Sequence, residues 1–235
     1  MIKIEKLQSL VLLLIIFLLS STVYAQKINQ YDGNKKRTGK WMKFYPNKKI
    51  RYEGQFQNGK EIGVFKFYDR NSLGTPSIIK NFKADTDSVF TQFFTIKGIL
   101  QSEGNFIGRQ RVGKWTYYFP NKKKMSVENY KAGVLHGELI NFYPNGQITE
   151  KTIYKDGLKN GPSLKFSSDG DILEEVNYVN NVLEGPAKYY DVKGNLKETG
   201  SYKNGKRVGK WEYYLDGEVV TKKKKSTYKK KNKKK

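Results

Sequence analysis

The sequence has 235 residues, of which 45 are Lys or Arg and 22 are Asp or Glu, so the formal net charge at pH 7 is +23. The absence of Cys excludes disulfides and zinc–cysteine sites, and a single His leaves almost no material for a Ser-His, Cys-His or multi-histidine site. Only 37% of the residues are hydrophobic, but 17 Tyr, 13 Phe and 3 Trp are among them, and this bias favours strands over helices.

The first 25 residues have the pattern of a cleavable export signal. Lys3 and Lys6 precede an almost wholly apolar run at residues 10–19, and Val23-Tyr24-Ala25 follows where a signal peptidase would cut. The run is shorter than the ~20 residues that span a bilayer, although an uncleaved anchor is the alternative. We therefore expect export to the periplasm, the outer-membrane surface or the cell exterior. Because no second apolar run follows, we expect a protein that is not an integral membrane protein.

A repeat begins after a lead-in at residues 26–38. Glycines, here called the anchor glycines, recur at steps of 24 residues with one step of 50: Gly39, Gly63, Gly113, Gly137, Gly161, Gly185 and Gly209. The long step is interpreted as two units with two extra residues, which places a degenerate anchor at Val89. We predict an array over residues 39–220 with units that begin near 39, 63, 89, 113, 137, 161, 185 and 209.

Aromatic residues keep the same register as the anchors. Five residues after each anchor stand Phe44, Tyr68, Phe94, Tyr118, Phe142, Phe166, Tyr190 and Tyr214. Seventeen residues after the anchors stand Phe56, Phe106, Tyr130, Tyr154, Tyr178 and Tyr202, with Phe82 in the longer unit. Trp41, Trp115 and Trp211 each lie two residues after an anchor. We predict that the two persistent aromatic positions form the core.

Short turn motifs separate these groups. Tyr45-Pro46-Asn47 and Tyr143-Pro144-Asn145-Gly146 place Pro at the fixed φ of a tight turn, and Asn and Gly where positive φ is tolerated. Asn58-Gly59, Asp156-Gly157 and Asn204-Gly205 are typical two-residue hairpin turns. We therefore predict an all-β fold, an elongated and twisted antiparallel meander of ~24-residue hairpins with one packed and one solvated face.

The pattern Gly-Lys-Trp followed by aromatics and Pro-Asn resembles the MORN repeat in its bacterial variant. The clearest copies begin at Gly39, Gly113, Gly137 and Gly185, and the resemblance covers about residues 31–220. It implies an elongated, twisted sheet of hairpins. Eukaryotic relatives are scaffolds at membranes and in protein complexes, and many bacterial variants resemble a family labelled as the antitoxin component of toxin–antitoxin systems.

The sequence offers few candidates for chemistry. His136 precedes an anchor glycine without a metal-ligating neighbour, and we interpret it as a junction residue. Glu150, Glu174 and Glu198 share one repeat position. They could imitate the paired carboxylates of a glycosidase, but their repetition favours a cross-strand ladder with lysines. We therefore expect no catalytic residue, no cofactor and no metal.

Residues 221–235 form a lysine-rich tail that we expect to be disordered, because like charges repel and little apolar surface can be buried. One reading is a solvated end, and the other is an electrostatic anchor to an anionic lipid or polysaccharide surface. The candidate binding residues are Lys222, Lys223, Lys224, Lys225, Lys229, Lys230, Lys231, Lys233, Lys234 and Lys235. Basic and aromatic residues also suit single-stranded nucleic acid, but export argues against that partner in the cell.

Two functions follow from these features. The first is an exported, non-enzymatic scaffold that binds a protein partner or an anionic envelope surface. The alternative is an antitoxin-like or immunity-type protein that neutralises a toxin by direct binding. An enzyme acting on envelope glycans is a third hypothesis, and it would need a pocket with converging acids.

We predict that the mature protein begins at Gln26, because the export pattern ends at Ala25. N-terminal sequencing of the protein from the envelope or secreted fraction checks this. Retention of Met1 in that fraction would show that residues 1–25 are an uncleaved anchor.

Overall fold

The computed structural model describes residues 27–220, so the export signal and the lysine tail lie outside the described residues. All described regular structure is β, and 19 strands form one open antiparallel sheet, which confirms the predicted meander. The strands are β1 (Gln30–Tyr31), β2 (Arg37–Phe44), β3 (Ile50–Gln57), β4 (Lys60–Tyr68), β5 (Pro76–Phe82), β6 (Ser88–Phe94), β7 (Leu100–Ile107), β8 (Gln110–Tyr118), β9 (Lys124–Lys131), β10 (Val134–Leu135), β11 (Gly137–Phe142), β12 (Ile148–Lys155), β13 (Leu158–Phe166), β14 (Ile172–Val179), β15 (Val182–Leu183), β16 (Gly185–Tyr190), β17 (Leu196–Lys203), β18 (Lys206–Leu215) and β19 (Glu218–Val220).

Each strand pairs with its neighbour along the chain, so the topology needs only local connections. The exceptions are two interrupted strands: β10 and β11 both pair with β9, and β15 and β16 both pair with β14. Within residues 27–220 no helix is long and apolar enough to cross a membrane.

The two-residue turns at one edge of the sheet confirm the hairpin prediction. Asn58-Gly59, Asp156-Gly157 and Asn204-Gly205 have positive φ at both residues, as a type I′ turn requires. Ala132-Gly133 and Asn180-Asn181 adopt the same conformation. The Ala132 turn gives no comparable signal in the sequence, because Ala rarely adopts positive φ.

The longer turns at the other edge differ in one detail from the prediction. Gly146 has positive φ (99°) as expected, but in the first unit this conformation falls on Lys48 (64°) and not on Asn47. The side chain of Asn47 instead accepts a hydrogen bond from the backbone N–H of Lys49 at 3.3 Å. Asn47 therefore stabilises the turn as an Asx residue, and Lys48 carries the strained φ.

The anchor glycines all have positive φ, from 63° at Gly113 to 124° at Gly161. Gly63 begins a bulge in β4. The pairing of β3 with β4 shifts there, so that residues 63–65 lie opposite Gly54. On the other side of its strand an anchor faces the aromatic seventeen residues later, as Gly39 faces Phe56. In the longer unit Gly63 faces Phe82. Val89 occupies the place of the anchor in its unit, as predicted. β5 and β6 nevertheless pair without a register shift there, because a β-branched residue does not readily take positive φ.

The most deeply buried position lies two residues after the anchor, and this corrects the predicted core. Its members are Trp41 (9% exposed), Phe65 (2%), Thr91 (0%), Trp115 (0%), Leu139 (8%), Ser163 (1%) and Ala187 (1%). The aromatics five and seventeen residues after the anchor are mostly half-buried, and Phe44 is 46% exposed, although Phe56 is buried. In the units with an anchor bulge, the bulge places the residue two after the anchor over the strand interior, where neighbours on both sides cover it. Thr91 is buried at the same position although β5 and β6 pair without a register shift.

Glycines of the preceding strand make room for the large rings. A Cβ added at Gly54 would lie 2.4 Å from the Phe65 ring, and one added at Gly104 would lie 2.4 Å from the Trp115 ring. The ring therefore rests directly on backbone. No side chain fits between the two without a shift of the ring.

The first edge of the sheet is closed by the segment before β2. The backbone N–H of Asn29 donates to the carbonyl of Lys40, and the Asn29 side chain accepts a hydrogen bond from the Met42 N–H, both at 2.9 Å. β1 pairs with Arg37 and Thr38 of β2. The lead-in thus covers the edge from Arg37 to Met42.

We predict that Gly104→Ala destabilises the protein by about 1–3 kcal/mol, because the new methyl group displaces the buried Trp115 ring. The matched control is Gly33→Ala, since a Cβ at Gly33 meets nothing within 4 Å. Thermal unfolding followed by circular dichroism measures both. Equal melting temperatures for the two variants would show that the ring does not depend on the glycine.

Candidate binding face

One face of the sheet, here called the aromatic face, carries the rings of successive units. Residues directly opposite in an antiparallel pair share a face, which places Trp41 with Gly54, Phe56 with Gly39, and Tyr52 with Phe67. A row of residues that lie opposite one another in successive strands runs along this face, beside the row of buried residues two after the anchors. Its members are Tyr52, Phe67, Ile78, Phe93, Ser102, Tyr117, Ser126, Asn141, Glu150, Lys165, Glu174, Tyr189, Glu198 and Tyr213. Among the described residues no second layer of secondary structure covers this face.

In the first half of the array the rings form a chain of edge contacts. Centroid distances are 5.7 Å from Trp41 to Phe56, 5.2 Å from Phe56 to Phe65 and 5.3 Å from Phe65 to Phe82. A second group follows, in which Phe106 lies 4.8 Å from Trp115. These T-shaped contacts hold the rings in fixed orientations, so the aromatic face is ordered before any partner binds.

The second half of the aromatic face is polar, and the three repeated glutamates lie here. Lys159 donates to Glu150 at 3.2 Å, Lys165 approaches Glu174 at 3.0 Å, and Arg207 makes two bonds to Glu198, at 2.8 and 2.9 Å. The interpretation of these acids as a cross-strand ladder is confirmed, with an arginine as one of the partners. Burial alone would raise the pKa of Glu150, but hydrogen bonds from Lys159 and Thr152 outweigh burial, so its pKa lies below the ordinary value.

A basic residue two positions before the anchor lies over an aromatic ring in several units, a feature that the sequence interpretation missed. Arg37 lies 5.0 Å from the centroid of Trp41, Arg111 5.0 Å from Trp115, and Arg207 3.9 Å from Trp211. Lys159 takes the same position over Tyr178 at 5.2 Å. The sequence does contain a signal for this cation–π contact. Lys or Arg recurs at one repeat position, and in three units it lies four residues before a Trp.

On the opposite face, the tyrosines five residues after the anchor are bonded to glutamates. Tyr68 donates to Glu53 at 2.7 Å and Tyr118 donates to Glu103 at 2.6 Å. Burial, with the hydrogen bond to Glu53, raises the pKa of Tyr68 to about 12. These tyrosines are neutral donors that link neighbouring strands and are not candidates for proton transfer near pH 7.

His136 occupies the junction that the sequence suggested. It separates β10 from β11, its backbone N–H donates to the carbonyl of Asn129, and its Nδ1 lies 3.2 Å from a carboxylate oxygen of Asp156. Its side chain is 36% exposed. In residues 27–220 no group of three or more His, Cys, Asp and Glu side chains is arranged to hold a metal ion.

We predict that Glu150→Gln lowers stability at neutral pH and reduces the further loss on acidification. Because the folded pKa of Glu150 lies below 4.5, its contribution is complete above pH 4.5 and is lost as the pH falls through the folded value. Thermal unfolding at pH 7 and at about pH 3 measures the difference. Glu138→Gln is the control, since Glu138 is exposed on the neighbouring strand and forms no ion pair with another described residue. An equal acid response in all three proteins would contradict the assignment.

Comparison with known proteins agrees with this geometry. A family model described as the MORN repeat variant matches residues 37–58, 111–132, 135–156, 159–180 and 183–204. No curated protein matches the chain significantly. A solved structure titled "Crystal Structure of TcdB2-TccC3-TEV" aligns with 76% of this chain at 10% sequence identity and a TM-score of 0.23, and the chain spans 13% of that protein's length. The protein is thus a β-hairpin repeat protein in which five segments match the MORN repeat variant.

Proposed function

We propose that the protein is an exported, non-enzymatic scaffold that binds a partner protein through its aromatic face. The observation that carries the proposal is the row of half-buried rings on one face of a single-layer sheet, which nothing among residues 27–220 covers. Soluble proteins rarely expose contiguous apolar patches of this kind unless another molecule binds there. Tyr, Trp, Phe and Arg, which alternate on this face, are also the residues enriched in protein interfaces.

The fixed orientation of the rings supports this proposal. Rings held by edge contacts and by overlying guanidinium groups lose little conformational entropy when a partner binds. Arg37 and Arg111 each lie over a tryptophan, so their side chains are already positioned. The aromatic face therefore offers a preorganised surface.

Two further elements of the proposal concern residues outside the described part. Residues 1–25 direct export, and the ten lysines between Lys222 and Lys235 hold the scaffold at an anionic lipid or polysaccharide surface. In the alternative function, the partner on the aromatic face is a toxin and the protein neutralises it. The two functions share the binding surface and differ in the identity of the captured protein.

We predict that Tyr189→Ser weakens capture of the partner by about tenfold, the effect of losing one central aromatic contact. Tyr190→Ser is the matched control, because Tyr190 is also half-buried on β16 but lies on the opposite face and bonds to Glu175. The measurement is quantitative capture from native envelope by the tagged full chain, read by mass spectrometry.

Deletion of residues 222–235 in the same experiment separates the two proposed contacts. Protein capture should persist, while binding to phosphatidylglycerol vesicles at low salt should fall. Equal loss of capture in Tyr189→Ser and Tyr190→Ser would show that the aromatic face is not the binding surface. Unchanged vesicle binding after the deletion would show that the adhesive charge lies in the repeats.

A further inference from the structure

A groove of about 760 Å³ lies at the long-turn edge of the sheet, where residues 95–99 connect β6 to β7. Its apolar walls include Phe93, Ile99, Leu100 and Tyr117. Phe93 and Tyr117 belong to the aromatic face, so the groove is continuous with the proposed binding surface. Its volume and apolar lining are those of a site that takes one or two large side chains.

The turn of this unit lacks an inter-repeat contact that two other units make across the same edge. In the units at Gly39 and Gly137 the tyrosine six residues after the anchor reaches the carbonyl 23 residues later: Tyr45 donates to Tyr68 at 2.8 Å, and Tyr143 donates to Phe166 at 2.9 Å. In the unit at Val89 this position is Thr95, whose hydroxyl accepts a hydrogen bond from the Ile99 N–H within its own turn. Thr95 and Tyr118, the residue with the corresponding carbonyl, both line the groove.

The groove also lacks a carboxylate that three later units possess, at Glu150, Glu174 and Glu198. Lys159 and Arg207 bond to glutamates nine residues earlier, Glu150 and Glu198. The corresponding pair here is Arg111 with Ser102, so the guanidinium has no acid at that position. Arg111 donates instead to the hydroxyl of Tyr130 at 3.2 Å.

The charge at the groove is therefore positive. Arg111 and Lys97 line it together with no acidic residue, and neither forms an ion pair with a carboxylate of residues 27–220. Lys122, Lys123 and Lys124 continue the positive charge along the same edge and are exposed. This charge extends over several residues, which suits a run of acidic residues better than a single anionic head group.

We infer that the groove binds an acidic segment of the partner protein, with an aromatic or aliphatic side chain in the apolar part and carboxylates on Arg111 and Lys97. The inference rests on the proposed function, since it names the chemistry of the partner at one point of the aromatic face. The unit that begins at Val89 would then determine specificity, because it combines a groove at its turn with a cation that lacks the acid found beside Lys159 and Arg207.

Two substitutions introduce side chains that other units carry at the corresponding positions. Thr95→Tyr supplies the missing side chain, which would cross the groove toward the Tyr118 carbonyl as Tyr45 reaches Tyr68. Ser102→Glu supplies the missing carboxylate beside Arg111, as Glu198 stands beside Arg207. Phe119→Tyr is the control, because Phe119 has the same repeat position as Thr95 in the next unit and does not line the groove.

The probe is a fluorescein-labelled, amidated peptide of sequence Asp-Glu-Phe-Glu-Asp, titrated against the full chain by fluorescence anisotropy. We expect Thr95→Tyr and Ser102→Glu each to weaken binding by about tenfold or more, and Phe119→Tyr to leave it unchanged. A peptide with Gln and Asn in place of the acids should bind about tenfold more weakly than the parent. Thermal unfolding of each variant shows whether it is folded. If one groove variant does not fold, the other still tests the inference.

Several results would overturn the inference. The first is equal peptide binding by the wild type and both groove variants. The second is equal binding of the acidic peptide and the uncharged peptide. The third is displacement of the labelled peptide by laurate at a lower concentration than by unlabelled peptide, which would make the groove an amphiphile site. Capture from envelope separates this inference from the proposed function. If Tyr189→Ser reduces capture but both groove variants capture normally, the scaffold function stands and the groove is not part of it.

Discussion

The stacking of an aromatic ring on a glycine of the preceding strand is the contact on which the aromatic units depend. Phe65 rests on Gly54, Trp115 on Gly104 and Trp211 on Gly200. The anchor glycine makes this contact possible, because its positive φ bulges the strand and directs the residue two positions later over the neighbouring backbone. Units without a large ring keep the geometry with small residues, as in the 2.8 Å hydrogen bond between Thr152 and Ser163.

The unit that begins at Val89 departs from the repeat at three positions, and it is the unit with the groove. It has Val89 in place of the anchor glycine, Thr95 in place of a turn tyrosine, and Ser102 in place of a ladder acid. The first change removes a bulge, the second removes an inter-repeat hydrogen bond, and the third removes the counter-ion of Arg111. Local departures from an otherwise consistent pattern are expected where a protein binds other molecules.

Much of the fold could be predicted from the sequence, because turn chemistry is local. Asn58-Gly59 and Asp156-Gly157 admit few conformations besides a hairpin, and the 24-residue period fixed the order of strands. The core position could not be identified in the same way, since Trp41, Thr91 and Ala187 share burial but no chemical type. Burial there follows from how the strands pair in the folded sheet, with a bulge in several units and without one at Thr91. The ladder of Glu150, Glu174 and Glu198 was predictable from repetition. The groove was not, because it lies where one unit lacks side chains that other units have, and that difference is apparent only when the units are compared in space.

The closed first edge of the sheet has a consequence for self-association. An open sheet can add a strand from another molecule at either end, and repeated addition produces fibrils. Here Asn29 and β1 already bond to β2 between Arg37 and Met42, so within residues 27–220 the longer unpaired edge lies at the other end of the sheet, on residues 206–212 of β18 and on the short strand β19. Edge-to-edge joining through that end would bury the edge in both molecules and stop at a two-fold symmetric pair. The lead-in segment thus shields one end of the sheet from the addition of a further strand.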